Sequence, residues 1–464
     1  MYSLDDTIAA ISTPLGEGGI GLVRLSGPQA LEIGGRLFVP VHPPAPGQPE
    51  LRPRVLTYGH ILDPATGETV DEVLAAYMPA PATYTRQDVV EINAHGGIVA
   101  LRSILALCLR QGARLAEPGE FTARAFLLGR LDLAQAEAVL DLIQAKTEAS
   151  LRAAVGQLSG RLSDQVQAVR AVLLEALAYL EVRIDFVDDE VPEQDLEPVW
   201  RVAQDSLARL LAEADRGIIY RQGVRVAIVG RPNVGKSSLL NRLLRTSRAI
   251  VTDIPGTTRD TLEETLNLQG IPVLLVDTAG ISDHSRDPIE RLGIERSRAA
   301  LAQADLALLV VDASTPVTDA DRAIAGLLNG RPTLVVLNKV DLLGEVARHA
   351  LASPLPEVGA RAVAISALTG EGLTELEEAI VEAVFSGQVV ASAAPLVTNP
   401  RHKEALTRAL EAVEAATTAH RSGVPEDLIA IDLTAAVNAL GEITGQTASD
   451  DLLETIFGAF CVGK

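Results

Sequence analysis

Residues 224–244, VRVAIVGRPNVGKSSLLNRLL, set Gly230, four intervening residues, Gly235, Lys236 and Ser237 in one row. An apolar, strand-like run precedes them and a helix-like run follows. That spacing suits chemistry on phosphate, because glycines let successive backbone N–H groups wrap an anion at a helix N-terminus. Lys236 would reach the β- and γ-oxygens of a nucleotide, and the Ser237 hydroxyl would ligate Mg²⁺. Residues Asn233, Val234, Gly235, Lys236, Ser237 and Ser238 are the expected phosphate-side contacts.

Companion motifs follow in order. TDIPGTTRD brings Thr252, Asp253, Ile254, Pro255, Gly256, Thr257 and Thr258, a polar stretch in which a threonine can meet Mg²⁺ and the γ-phosphate. VLLVDTAG ends a strand-like run on Asp277, placed to hold the metal through water. Its Thr278, Ala279 and Gly280 follow, and Gly280 can offer a backbone N–H to the γ-phosphate. NKVD supplies Asn338, Lys339 and Asp341 after the apolar TLVVL. An aspartate there accepts both N1–H and the 2-amino hydrogen of guanine, a pair adenine does not present. SAL (Ser366, Ala367, Leu368) suits backbone recognition of the guanine O6. Four such motifs at strand ends predict a GTP hydrolase. Where Ras-like GTPases have a water-positioning glutamine, this chain has Ile281, which can neither orient nor polarise water. Another group must do so. Asn233 either offers its carbonyl oxygen to a monovalent cation that supplies the missing charge, or is simply a loop residue.

The surrounding pattern says which elements hold these residues. From 221 to 384 short apolar strands alternate with helical stretches, the mark of a parallel sheet with crossover helices. Residues 1–118 mix strand-like runs such as GGIGLVRLSG and RQDVVEINAHGG with turns, and six prolines between 40 and 53 mark a loop. From 119 to 220 the period becomes helical. In LDLAQAEAVLDLIQAKTEAS one helix face would carry Leu131, Ala134, Ala138, Val139, Leu142 and Ile143. EVRIDFVDDEVPEQD (181–195) reads as an acidic break, and helical pattern returns from 385 to 464. The expected fold class is multidomain: an α+β N-terminal domain, an all-α domain in two segments, and an α/β P-loop domain of Ras-like type inserted between them.

The chain has 464 residues and a net charge of −21, with 47% apolar and 22% charged residues. That composition is globular, allows about three domains, and disfavours a broad basic face for nucleic acid. The helical segments carry −13 of the charge, and the other two carry −4 each. This acidity is either a solvated surface or a docking face for a basic partner. Two cysteines exclude a disulfide scaffold and a four-cysteine zinc site. The start, MYSLDDTIAA, lacks the pattern of a signal peptide and no run is long enough to span a membrane, so a cytoplasmic location is expected.

GRPNVGKSSLLN with TDIPGTTRD and DTAG resembles the translation-linked GTPases that include tRNA-modification and ribosome-assembly enzymes. With LEVRIDFVDDE, FLLGRLDLAQAEAVLDLI, the DTIAAISTPLGEGGIGLVRLSG start and the FCVGK terminus, the whole chain resembles the tRNA-modification GTPase family MnmE (TrmE). The resemblance implies a tetrahydrofolate-binding and dimerisation domain over 1–118, helical segments over 119–220 and 385–464, and a G domain over 221–384. It implies a homodimer that joins the FAD-containing MnmG in a heterotetramer. Together they add an aminomethyl-type group, such as carboxymethylaminomethyl, to carbon 5 of the wobble uridine of certain tRNAs. The one-carbon unit would come from 5,10-methylene-tetrahydrofolate, with 5-formyl-tetrahydrofolate as a related ligand, and K⁺ would stimulate GTP hydrolysis.

By the same resemblance, Asn233 and Thr252 hold K⁺ with carbonyl help from Ile254 and Thr257, and Ser237 and Thr258 hold Mg²⁺. Glu290, in DPIERLGIER, orients the hydrolytic water and joins Lys236 as a catalytic residue; alone it would read as a solvated helix carboxylate. The folate residues are Arg24, Glu91, Arg130 and Lys464. A carboxylate such as Glu91 pairs with pterin N–H groups, and the three cations suit a glutamyl tail or a carbonyl. The family often has lysine where Arg130 stands, so a fork replaces a point donor. Cys461 is either a thiol activated beside Lys464 or a small packed residue. His95 reads as structural and Cys108, in ILALCL, as core. Ser282 stands where relatives often carry arginine, and Leu368 where a lysine or arginine is commoner. The rival reading is a ribosome-assembly switch of the related Era-like branch. It predicts a basic RNA-binding module with a GXXG clamp, which the sequence lacks. Since no segment is basic, tRNA would be held mainly by the partner, and no membrane is involved.

Overall fold

Buried and open positions alternate along Gly18–Ser26 and Val89–Gly96, which makes them strands with one face toward a core. In the computed structural model they pair antiparallel, with Arg24 directly opposite Glu91. The structure describes residues 3–43, 45, 49–186, 191–247, 264–276, 301–302, 304–328, 330–344, 355, 360–385 and 396–464. The first sheet contains β1 (Ile8–Ile11), β2 (Gly18–Ser26), β3 (Phe38–Pro40), β4 (Thr57–Leu62), β5 (Thr69–Met78), β6 (Val89–Gly96) and β7 (Arg114–Leu115). Their order is β3-β4-β5-β6-β2-β1-β7, antiparallel except for the β1–β7 pair. Helices Ala30–Leu37 and Ile98–Arg110 supply Ile33, Leu37, Leu101 and Ile104 to a core shared with Val23, Leu25, Ile61 and Ile92.

The helical segments on either side of residues 221–384 pack as one body. Leu173 and Leu177 of Arg161–Asp185, Trp200 and Leu207 of Glu197–Ala212, Leu406 and Val413 of Pro400–Arg421, and Leu433 of Glu426–Thr444 share one core. A buried polar cluster also joins them. Glu137, on Leu133–Gln144, accepts from Arg401 Nε at 3.0 Å and Nη2 at 2.6 Å, and from Asn399 Nδ2 at 2.9 Å. Nε2 of the fully buried His402 lies 2.6 Å from the same carboxylate. Burial alone would raise Glu137, but His402 and Arg401 outweigh it and hold the carboxyl down at about 2.

Three details differ from the periodicity reading. Ile143 is 45% exposed, while Leu133, Ala136 and Glu137 are buried, because this helix is covered on the side where its anchor to Arg401 lies. The helix also stops at Gln144. Thr147 caps a new helix, Glu148–Leu158, its hydroxyl accepting from Ser150 N at 3.1 Å. Finally, residues 181–185 are the last turn of Arg161–Asp185 and not a break, since Leu180 still packs in the core.

The second sheet holds β8 (Val224–Val229), β9 (Glu264–Leu268), β10 (Ile271–Val276), β11 (Leu306–Asp312), β12 (Thr333–Asn338) and β13 (Arg361–Ala364). Its order is β13-β12-β11-β8-β10-β9, parallel except for the β9–β10 hairpin. This is a doubly wound sheet, with β8 between β11 and β10 so that ligands collect at the carboxyl ends of the strands. The sheet is tied to the helical body at its hairpin and its entry. Thr147 Oγ1 donates to Gly270 O at 2.7 Å, Ser150 Oγ to Tyr220 O at 2.6 Å, and Arg221 Nε to Asp141 Oδ1 at 2.6 Å.

Candidate functional site

β8 ends at Val229, and the chain turns through Gly230 (φ 153°), Asn233 (φ 63°) and Gly235 (φ 98°) into the helix Lys236–Ser247. Glycine is required at 235: a Cβ there would sit 2.2 Å from Asn338 Nδ2. At 230 it would sit 2.4 Å from Val310 O. Lys236 Nζ reaches across the loop to Gly230 O and Arg231 O, each at 2.8 Å. The result is a closed cradle of backbone around one ammonium, at a helix N-terminus, which fits a phosphate chain.

Asn338 is 2% exposed and bridges two motifs. Its Nδ2 donates to Val234 O at 2.7 Å, and its Oδ1 accepts from Ala367 N at 3.0 Å. The Ala367 N–H, one of the backbone donors expected near the guanine O6, is therefore engaged by Asn338. Lys339 has φ 68° and donates to Asn233 O at 2.8 Å and Asp312 Oδ2 at 2.7 Å. Arg242 donates through Nε to Ala367 O at 3.3 Å and through Nη2 to Leu368 O, fixing the backbone of the SAL turn. The Leu368 side chain is 78% exposed and Ser366 is buried, and Asp341, three residues after Asn338, is half-buried. Ser237 and Ser238 open the helix after Lys236. The expected contacts at Thr252, Asp253, Ile254, Pro255, Gly256, Thr257, Thr258, Asp277, Thr278, Ala279, Gly280 and Glu290 lie outside the described residues, as do Ile281 and Ser282.

A second polar group forms on the first sheet. Because β2 and β6 pair in register, Arg24 Nε and Nη2 both meet Glu91 Oε1, at 2.9 Å and 2.8 Å. Neither contact uses Oε2, which suits a ligand that brings its own N–H donors. Arg24 also stands 5.7 Å from the Phe121 ring centroid. The C-terminal segment docks beside this pair. Val462 bridges Pro118, Phe121 N donates to Lys464 O at 3.2 Å, and Gly463 (φ 96°) lies so close that a Cβ would be 2.4 Å from Ile11 O. Burial, then the Arg24 charge, hold the Lys464 ammonium below the usual lysine range, with Cys461 and Glu91 opposing.

The structure thus brings Arg24, Glu91 and Lys464 together, although 67 residues separate the first two and the third closes the chain. Arg130 stands on the neighbouring Tyr84, 4.7 Å above its ring, and donates to Tyr84 O at 3.2 Å. Tyr84 packs against the buried cluster that includes Phe121, and its hydroxyl hydrogen-bonds Thr122 Oγ1 at 2.9 Å. Cys461 is exposed, Cys108 is buried and pushed up to about 12 by burial, and His95 is on the surface beside Asp71 at 2.7 Å. The sequence alone does not single out Tyr84, Phe121 or Asp312; only an acid closing the apolar run LALLVVD hints at the last. No group of side chains suited to hold a metal ion by themselves occurs among the described residues. Nor is any described helix long and apolar enough to cross a membrane.

The doubly wound sheet, the phosphate cradle after β8 and the Asn338 bridge at the end of β12 define a class: a P-loop GTP hydrolase set within a split helical domain. Comparison with known proteins makes this specific. The family model for the MnmE helical domain matches residues 133–461, and that for the GTP-binding protein TrmE N-terminus matches residues 7–130. A tRNA modification GTPase MnmE from Roseiflexus sp. (strain RS-1) is 51% identical over 467 residues, spanning 99% of each chain. The protein of that name from Chloroflexus aurantiacus is 51% identical over 462 residues, covering 99% of this chain and all of its own. The chain belongs to the tRNA modification GTPase MnmE family.

Proposed function

We propose that this chain is a potassium-activated GTPase that acts with the flavoprotein MnmG to place an aminomethyl-type group on carbon 5 of a tRNA wobble uridine. One observation carries the reading: a single chain joins a phosphate cradle with guanine-type motifs to a separate Arg24–Glu91–Lys464 cluster through one helical body. GTP in the cradle supplies a phosphoryl group for transfer to water. Lys236 and the loop N–H groups stabilise charge on that group, while Asn338 and Asp341 select guanine. Asn233, together with Thr252, Ile254 and Thr257, would hold K⁺ in place of an arginine, and Ser237 with Thr258 would hold Mg²⁺. Glu290 would orient the water that Ile281 cannot.

The second cluster would hold a tetrahydrofolate that supplies the one-carbon unit. Glu91 Oε2 would accept from pterin N–H groups, Arg24 holding the carboxylate in place, with Arg130 and Lys464 toward the carbonyl and tail. Homodimerisation and a heterotetramer with MnmG complete the assembly. With −21 on this chain, tRNA would be gripped mainly by the partner.

GTP turnover in K⁺ against Na⁺ tests the first half. The wild type should turn over at least tenfold faster in K⁺, a modest share of what a trans-acting positive charge contributes, and Asn233→Ala should remove the difference. Equal rates in both salts would end the cation assignment. Calorimetry with 5-formyl-tetrahydrofolate tests the second half: Glu91→Ala should abolish the heat of binding, and unchanged affinity would refute the folate site.

A further inference from the structure

Asp312 closes β11 in register with Asn338 at the end of β12, and it is nearly buried. Both carboxylate oxygens are used. Oδ1 accepts from Ser314 N at 3.0 Å and Ser314 Oγ at 2.6 Å, and Oδ2 accepts from Lys339 Nζ at 2.7 Å. The same ammonium donates to Asn233 O at 2.8 Å. A continuous chain of bonds therefore runs Ser314–Asp312–Lys339–Asn233, from a loop in none of the nucleotide motifs to the tip of the phosphate cradle.

The cradle needs such a brace. Asn233 sits at φ 63°, the left-handed region that asparagine tolerates better than most residues, and the Lys339 ammonium on its carbonyl helps hold the loop in that shape. Lysine is a flexible stem with a strongly hydrated point charge, and Lys339 is partly open to solvent. Without a fixed anion it has no reason to stay on one carbonyl. The following turn grips the cradle a second time: Arg231 Nη2 donates to Thr315 Oγ1 at 2.7 Å, and Arg231 pairs with Asp321 at 3.3 Å.

We propose that Asp312 is a positioning residue for GTP binding and turnover, acting through Lys339 to fix the Asn233 carbonyl and thereby the shape of the phosphate cradle. The proposal rests on the reading of 230–237 as the GTP site. Asp312 stays charged at neutral pH: burial opposes this, but Lys339 and Ser314 hold its carboxyl below the ordinary range.

The test is a double-mutant cycle on the full chain, read by binding of fluorescent mant-GDP and by GTP turnover in K⁺. Asp312→Asn keeps the shape and removes the charge. It should weaken mant-GDP binding roughly tenfold, the factor lost with one charge-assisted hydrogen bond, while the melting temperature stays at the wild-type value. In the Lys339→Ala background the same substitution should change binding less than about twofold, since the two residues act as one unit. Ser314→Ala, which only loosens Asp312, should show the same effect more weakly, in the wild-type background alone, and serves if Asp312→Asn does not fold. Equal losses in both backgrounds, or wild-type affinity in Asp312→Asn, would overturn the proposal. Failure of the underlying site reading looks different: Lys236→Ala would then bind mant-GDP like the wild type.

Discussion

Gly235, Asn338 and Lys236 show how much a few residues decide. Gly235 leaves room for Asn338 Nδ2 to reach Val234 O, and Lys236 fills the cradle that results. This part was legible because a phosphate loop is contiguous: its chemistry requires neighbours in sequence. Thiol reactivity checks the residue-level picture elsewhere. Burial raises Cys108 to about 12, whereas Cys461 is exposed. A maleimide at neutral pH should label one thiol per native chain, at Cys461, and two after denaturation. Labelling of Cys108 in the native chain would contradict the packing of Ile98–Arg110. Arg24 and Glu91 were not legible from spacing, since only the β2–β6 register makes them partners. The family resemblance named them; nothing local did.

At the scale of elements, the helical body depends on a charge cluster that periodicity cannot reveal. Glu137 falls on an Ala- and Leu-rich stretch, where an acid reads as a solvent-side residue. Its partners Arg401, His402 and Asn399 lie more than 260 residues away. Periodicity finds most of the covered face, since Leu131, Ala134 and Ala138 are buried, but it adds the exposed Ile143, misses Glu137 and runs Leu133–Gln144 into Glu148–Leu158, whose start at Thr147 is fixed by a bond to the distant Gly270. Removing the charge in Glu137→Gln leaves Arg401 uncompensated and should destabilise the helical body by ~3–5 kcal/mol, read as a lower melting temperature. The pH sign follows from a folded carboxyl at about 2 against an ordinary value of 4.5. The contribution is complete above about pH 4.5 and disappears as the pH falls toward 2. Wild-type melting should therefore drop over that window, with a shallower drop in Glu137→Gln. Parallel curves would show that the cluster is not what acid disrupts.

For the whole molecule, the alternation of pattern along the chain foretold the architecture better than any boundary. A β/α unit flanked by helical sequence became a doubly wound sheet entered at Gly223 and held by Thr147, Ser150 and Arg221 to a helical body built from both flanks. The charge of −21 at first spoke against nucleic acid, yet the chain belongs to a tRNA-modifying family. The proposed function reconciles the two by leaving most of the tRNA to a partner. The C-terminal segment returns from the helical body to lay Lys464 beside Arg24 and Glu91, so the proposed folate cluster draws on distant parts of the sequence. The most direct measurement is a reconstitution with this chain, MnmG, tRNA, GTP, K⁺ and methylene-tetrahydrofolate, followed by mass analysis of the wobble nucleoside. The account predicts a mass-shifted uridine with the wild-type chain, and unmodified uridine with either Lys236→Ala or Glu91→Ala. A shifted uridine made equally well with both variants would contradict it.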